Sequence, residues 1–191
     1  WRQVKLYFMC GLPTETDQDV LQIARLAHEV IKVGREVSGR KDIRCTVSIG
    51  GFVPKPHTPF QWAAQLDHAS TDERLRKLRD AIRSDREYGK SIGLRYHDGK
   101  PGIVEGLLSR GDRRVGAVIE QVWRDGGRFD GWSEHFSYDR WMAAAQTAFG
   151  GSVVDVDWYT VRERDFPLTF EPVSPGAKQV FLRPGLKLLR L

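Results

Sequence analysis

Cysteine is scarce in this chain of 191 residues, with only Cys10 and Cys45. Both fall in segments read as buried strands, so free thiols in a reducing compartment are expected rather than a disulfide. Long apolar runs are also missing. The longest are far short of the roughly 20 residues a membrane span requires, and no membrane partner is expected. No signal-peptide pattern precedes the first strand, which makes a cytoplasmic location the expectation. Dense Lys/Arg tracts are lacking although the net charge is +5. That balance gives a general attraction to polyanions but no nucleic-acid arm. A glycine-rich phosphate fingerprint is missing too, which argues against a dinucleotide-binding domain. Position 1 is Trp rather than an initiator, and a strand follows almost at once. A βα unit with unpaired sheet edges is a liability, so the chain is expected to be the carboxyl-terminal part of a longer protein.

What is present is an ordinary globular balance, 40% apolar and 29% charged, enough for one core or one and a half. The organising stretch is Val4–Thr16, VKLYFMCGLPTET. Six of the seven residues from Val4 to Cys10 are apolar or aromatic, the pattern of a strand buried on both faces of a parallel sheet. Gly11 and Pro13 end it. Thr14 or Thr16 can cap the next helix, with Glu15, Asp17 and Asp19 at its positive end. Helical spacing from Asp17 to Val33 places Val20, Ile23, Leu26, Ala27, Val30 and Ile31 on one face, and Gly34 is expected to close the helix.

A second strand is expected over Asp42–Gly51, parallel to the first through a crossover. It runs into Phe52–Trp62, FVPKPHTPFQW, a loop stiffened by Pro54, Pro56 and Pro59. Such an aromatic-lined loop at the carboxyl end of a parallel strand suits a ligand pocket; it equally suits simple packing of its aromatics. Ser70–Tyr88 reads as a charged helix with a Ser70/Glu73 capping box and a Leu75, Leu78, Ile82 stripe. Ser91–His97 could add an edge strand. Ile103–Trp123 reads as two helical pieces broken at Gly111, with Val115, Val118, Ile119, Val122 and Trp123 facing inward. Arg110, Arg113 and Arg114 between them could hold an anion or simply form surface ion pairs. A turn-rich aromatic connection, Arg128–Phe136, leads to a helix over Tyr138–Phe149. His28, Asp130, Glu134 and His135 have no second ligand pair at metal spacing, so no metal site is expected from them. Val153–Val161 could be strand or helix, followed by a proline-rich tail.

Four ordered stretches, Val4–Thr16, Phe52–Trp62, Glu105–Arg114 and Phe129–Phe136, resemble a bacterial family of large radical S-adenosylmethionine (SAM) proteins. The likeness covers about residues 1–150. It implies an α/β fold with 1–97 as the last βα units of a partial (β/α) barrel, a mainly helical extension at 98–150, and an irregular tail at 151–191. It also implies a [4Fe-4S] cluster that reductively cleaves SAM to a 5′-deoxyadenosyl radical. The CxxxCxxC cluster loop of that superfamily does not occur in this chain. The cluster ligands are therefore expected in an N-terminal half, the required partner, and this segment alone is expected to be inactive.

By the same resemblance, Met9 and Gly11 match the adenine-supporting pattern of the fifth barrel strand, with Glu15 one place late. Gly51, Phe52 and Val53 correspond to the adenine-contacting end of the sixth. Lys55, His57 and Gln61 become substrate-side candidates by loop position, and Arg113 joins them from the arginine-rich stretch. The contrasting reading is a non-enzymatic basic module that contacts RNA or a ribosomal partner.

Overall fold

The computed structural model describes residues 1–96 and 99–150. Two compact units are present. Of the described residues, one comprises 1–52 with 66–96 and Gly99, the other 53–65 with 100–150.

The first unit is a βαβαβ run: β1 (Gln3–Cys10), α1 (Asp17–Ser38), β2 (Arg44–Gly51), α2 (His68–Ser84) and β3 (Ile92–Tyr96). The sheet order is β1-β2-β3 and both pairings are parallel, with Leu6 opposite Val47 and Val47 opposite Leu94. One core cluster joins Val20, Ala27 and Ile31 of α1 and Leu75, Leu78 and Ile82 of α2 to Cys10, Cys45, Val47, Ile49 and Ile92 of the strands. Strand residues of the opposite parity, Lys5, Tyr7, Met9, Ser48, Gly50, Gly93 and Arg95, take no part in it. Among the described residues both helices cover one face of the sheet; on the other, Lys5, Tyr7 and Met9 are exposed, while Thr46 is buried and accepts from the Gln3 side-chain amide at 2.9 Å. Residues such as Ile31, Val47 and Leu78 are fully buried, each contributing about 1.5–3 kcal/mol of transfer free energy.

The expected barrel fragment is not what forms. Among the described residues the sheet is open, three strands wide, and only β2 is flanked on both sides; a barrel requires closure. The apolar run of β1 suggested burial on both faces, yet β1 lies at an edge with Tyr7 72% and Met9 48% exposed. The α/β character and the parallel β1–β2 pairing do follow the sequence pattern.

Helix boundaries bring smaller corrections. Thr16 caps α1 in a reciprocal capping box with Asp19. The helix then continues through Gly34 and ends at Gly39, which is left-handed at φ 66. Gly34 serves packing instead: a Cβ there would lie 3.0 Å from Ile43 Cγ2. Asp67, not Ser70, caps α2, accepting hydrogen bonds from both the backbone N–H and the hydroxyl of Ser70.

The second unit contains α3 (Gly99–Arg110), α4 (Val115–Arg124) and α5 (Tyr138–Phe149). Its core gathers Val104, Leu107, Val115, Val118, Val122, Trp141, Ala144 and Ala145. The break at Gly111 and the bounds of α5 agree with the sequence reading. Ile119 and Trp123 do not: they are 48% and 57% exposed, because α4 buries a valine stripe narrower than the one expected. Among the described residues no helix is long and apolar enough to cross a membrane. The expectations for Val153–Val161 and the tail lie outside the described residues.

Candidate functional site

In the first unit the chemistry-bearing groups collect at the carboxyl ends of β1 and β2. Met9 pairs with Gly50 and Cys10 with Gly51 in the ladder, and the Phe52 N–H donates to the Cys10 carbonyl at 2.8 Å. The chain then turns sharply, with Gly11 at φ 95 and Thr14 at φ 68. Glycine is required at Gly11 both by that φ and because a Cβ would sit 3.1 Å from Leu66 Cδ1. The turn brings Glu15 back over the strand end, where its Oε2 accepts from the Gly11 N–H at 2.6 Å. Arg74 of α2 pairs with the same oxygen at 3.1 Å and reaches Asp17 at 3.4 Å. Lys77 bridges Asp17 and Glu73 at 2.7 and 2.9 Å. Its ammonium holds the Asp17 carboxyl below the usual range.

Cys10 lies beneath this cluster, and burial, followed by the Glu15 charge, pushes its thiol up to about 11. Burial raises Cys45 as well. Met9 lies on the uncovered sheet face with Tyr7, and Lys5 stands over the Tyr7 ring at 4.6 Å. Gly51 is exposed, and a Cβ placed there would meet nothing within 4 Å. Phe52, by contrast, is buried.

In the second unit the proline-stiffened loop is held from within. Val53 is half-buried. Lys55 forms an ion pair with Glu105 of α3, and the Thr58 hydroxyl donates to the Lys55 carbonyl at 2.7 Å. His57 adopts a left-handed φ of 61, and its backbone N–H donates to Gln61 Oε1 at 2.9 Å. Gln61 is 2% exposed, so it acts as an internal strut of the loop and is not free to meet solvent. Gln65 donates from Nε2 to the Gly102 carbonyl at 2.7 Å, tying the loop to α3. Arg113 is exposed, Arg114 is committed to Asp112, and Arg110 is buried at 3%.

The structure therefore gathers Met9, Gly11, Gly51 and Phe52 within one unit, and Val53, Lys55, His57 and Gln61 within the other. Arg113 belongs to the second unit also, at the start of α4's approach. Two residues with clear roles here, Arg74 and Gln65, did not stand out in the sequence, and Glu105 opened one of the four resembling stretches with no hint of its pairing with Lys55. The spacing of Glu15 from Gly11 was visible; its return onto the Gly11 N–H depends on the left-handed turn at Thr14. Among the described residues no group of three or more His, Cys, Asp or Glu side chains is placed to hold a metal ion.

No family model matches the chain, and no solved structure matches it. It is similar to an uncharacterised protein of Methanocaldococcus jannaschii, 30% identical over 118 residues. The match takes in 62% of this chain but 23% of that protein's length.

Proposed function

We propose that this chain is the SAM-side segment of a larger radical SAM iron–sulfur enzyme. The observation that supports the reading is the uncovered sheet face beside the strand ends. A parallel sheet normally has both faces covered, whereas here Tyr7, Met9 and Gly50 line an open surface that ends at Gly11 and Gly51. An exposed phenol ring, a thioether and two glycines suit an adenosyl group, which needs a flat apolar contact and close backbone approach.

The chain's residues fit the SAM part of that assignment and not the cluster. Two thiols cannot supply three thiolates. In this reading the cluster ligands belong to sequence outside the chain, and SAM would supply the radical chemistry when bound. The chain's own work is to position. Glu15 fixes the Gly11 amide, Arg74 neutralises Glu15, and the glycine-lined ends of β1 and β2 keep the approach to the backbone open.

The test is anaerobic reconstitution of the longer protein with iron and sulfide, followed by incubation with SAM and dithionite as the electron donor. The expected result is cluster absorbance near the visible charge-transfer region together with reductive SAM cleavage. A protein that takes up no cluster and leaves SAM intact overturns the reading. If the same protein instead binds RNA with a steep salt dependence, the basic interaction module takes its place.

A further inference from the structure

A groove of about 560 Å³ lies along the outer edge of β3 within the first unit, lined by Arg79, Ile82, Arg83, Lys90, Leu94 and Tyr96 among others. Its floor is apolar, with Ile82 only 2% exposed. Its wall is the side of β3 that faces away from β2, where no strand pairs among the described residues. An edge strand presents alternate N–H and C=O groups outward, ready to hydrogen-bond another extended chain.

The rim is cationic. Arg79 shares its charge with Asp80 at 3.4 Å, while Arg83 and Lys90 have no acidic partner among the described residues. The spacing of these cations narrows the choice of ligand. Arg79 and Arg83 are four residues apart on α2, which is about 6 Å along a helix axis. Because α2 returns the chain between two parallel strands, its axis runs back along β3. Same-face residues of a strand repeat at about 6.6 Å, so two carboxylates at alternate positions of an added strand would match the two arginines.

We propose that the outer edge of β3 receives an extended acidic segment of a partner protein as a fourth strand. Main-chain bonds to β3 supply affinity, and acidic side chains at alternate positions meet Arg79 and Arg83 and then Lys90. The proposal is independent of the SAM reading, since it uses neither the open sheet face nor the strand ends.

Fluorescence anisotropy of the full chain with a labelled peptide of alternating valine and glutamate tests it. A block peptide of the same composition and an alternating valine–lysine peptide serve as comparators. The alternating acidic peptide is expected to bind at least about tenfold tighter than either, and reversal of both free cations, R83E with K90E, to weaken it about tenfold. Methylating every second backbone amide of the peptide is expected to abolish binding in one of the two registers. Arg83 and Lys90 are exposed, so an unchanged circular dichroism spectrum is expected for the variant. No binding, equal binding of alternating and block peptides, insensitivity to both amide registers, or full displacement by millimolar tripolyphosphate each overturns the proposal; the last would leave a plain anion site.

Discussion

Glu15 reaches back across its own turn to accept the Gly11 N–H at 2.6 Å, and Arg74, from a helix almost sixty residues later, pairs with the same oxygen. The side chain of Glu15 is 9% exposed and that of Arg74 21%. A strand end, a left-handed turn and α2 are therefore tied through one carboxylate, and Arg74 extends the tie to α1 through Asp17. Its removal leaves a backbone donor and a guanidinium without their partner in a place where water enters poorly.

Glu15→Ala is expected to lower stability by about 1–3 kcal/mol, with Asp17 retaining part of the Arg74 charge. Glu15→Gln keeps an acceptor for Gly11 and should lose less. Urea unfolding of both variants, with Arg74→Met completing a double-mutant cycle, measures the coupling. Additive effects of the two sites would sink the claim that they act as a unit.

Two helical glycines should respond in opposite directions. A Cβ at Gly106 would come within 2.2 Å of Gln65 Oε1, whereas a Cβ at Gly116 meets nothing within 4 Å. Gly106→Ala should displace the Gln65 side chain, break its bond to the Gly102 carbonyl and cost about 1–2 kcal/mol. Gly116→Ala should stabilise α4 by up to about 1 kcal/mol through helix propensity. Thermal melts of the two variants decide it, and a stabilised Gly106→Ala would show that the loop tie carries no weight.

Local order was readable where a residue's own neighbours decide the outcome. The Leu75–Leu78–Ile82 stripe and the bounds of α5 depend on spacings of three and four residues, whereas the choice between Thr14 and Thr16 as cap stayed open and Asp67 displaced Ser70. Which strand is central depends on partners far away in the chain, and the same run from Val4 to Cys10 fits a middle or an edge strand. The open face of β1 was invisible for that reason, and so was the failure to form a barrel. The candidate residues split along a similar line. Gly11 announces its backbone need directly, whereas among the described residues nothing around Gly51 requires a glycine. Gln61 reads as a polar loop residue, and only the fold shows that it is buried under the loop it holds. Gly34 looks like a helix stop because propensity says so; contact with Ile43 overrides it.

Cys10 gives a pH dependence of definite sign. Its thiol pKa is raised from 9.0 to about 11 in the folded chain. Between those values the unfolded chain releases the thiol proton and the folded chain keeps it, so stability falls as pH rises through that window. Below pH 9 this contribution is fully present. Cys10→Ala should therefore flatten the alkaline limb of the stability curve, measured as urea midpoints at pH 7.5 and pH 10.5. Iodoacetamide should label Cys10 slowly until the protein unfolds. Rapid labelling of the native protein at neutral pH would contradict this burial.

Gly51 offers the cleanest separation between fold and ligand. A side chain at Gly51 has open space around it, and the residue is exposed at the end of β2. Gly51→Val should then leave the melting temperature of the longer protein within about 2 °C of the parent, because a β-branched residue suits a strand and nothing is displaced. If the adenosyl group lies against these strand ends, the added isopropyl group occupies its approach to the backbone, and SAM affinity should fall at least about tenfold, the size of effect expected from blocking a close contact. Equilibrium binding of SAM to parent and variant, read beside their melting curves, distinguishes the cases. An unchanged dissociation constant with unchanged stability would place SAM away from Gly51 and remove the glycine-lined strand ends from the cofactor site.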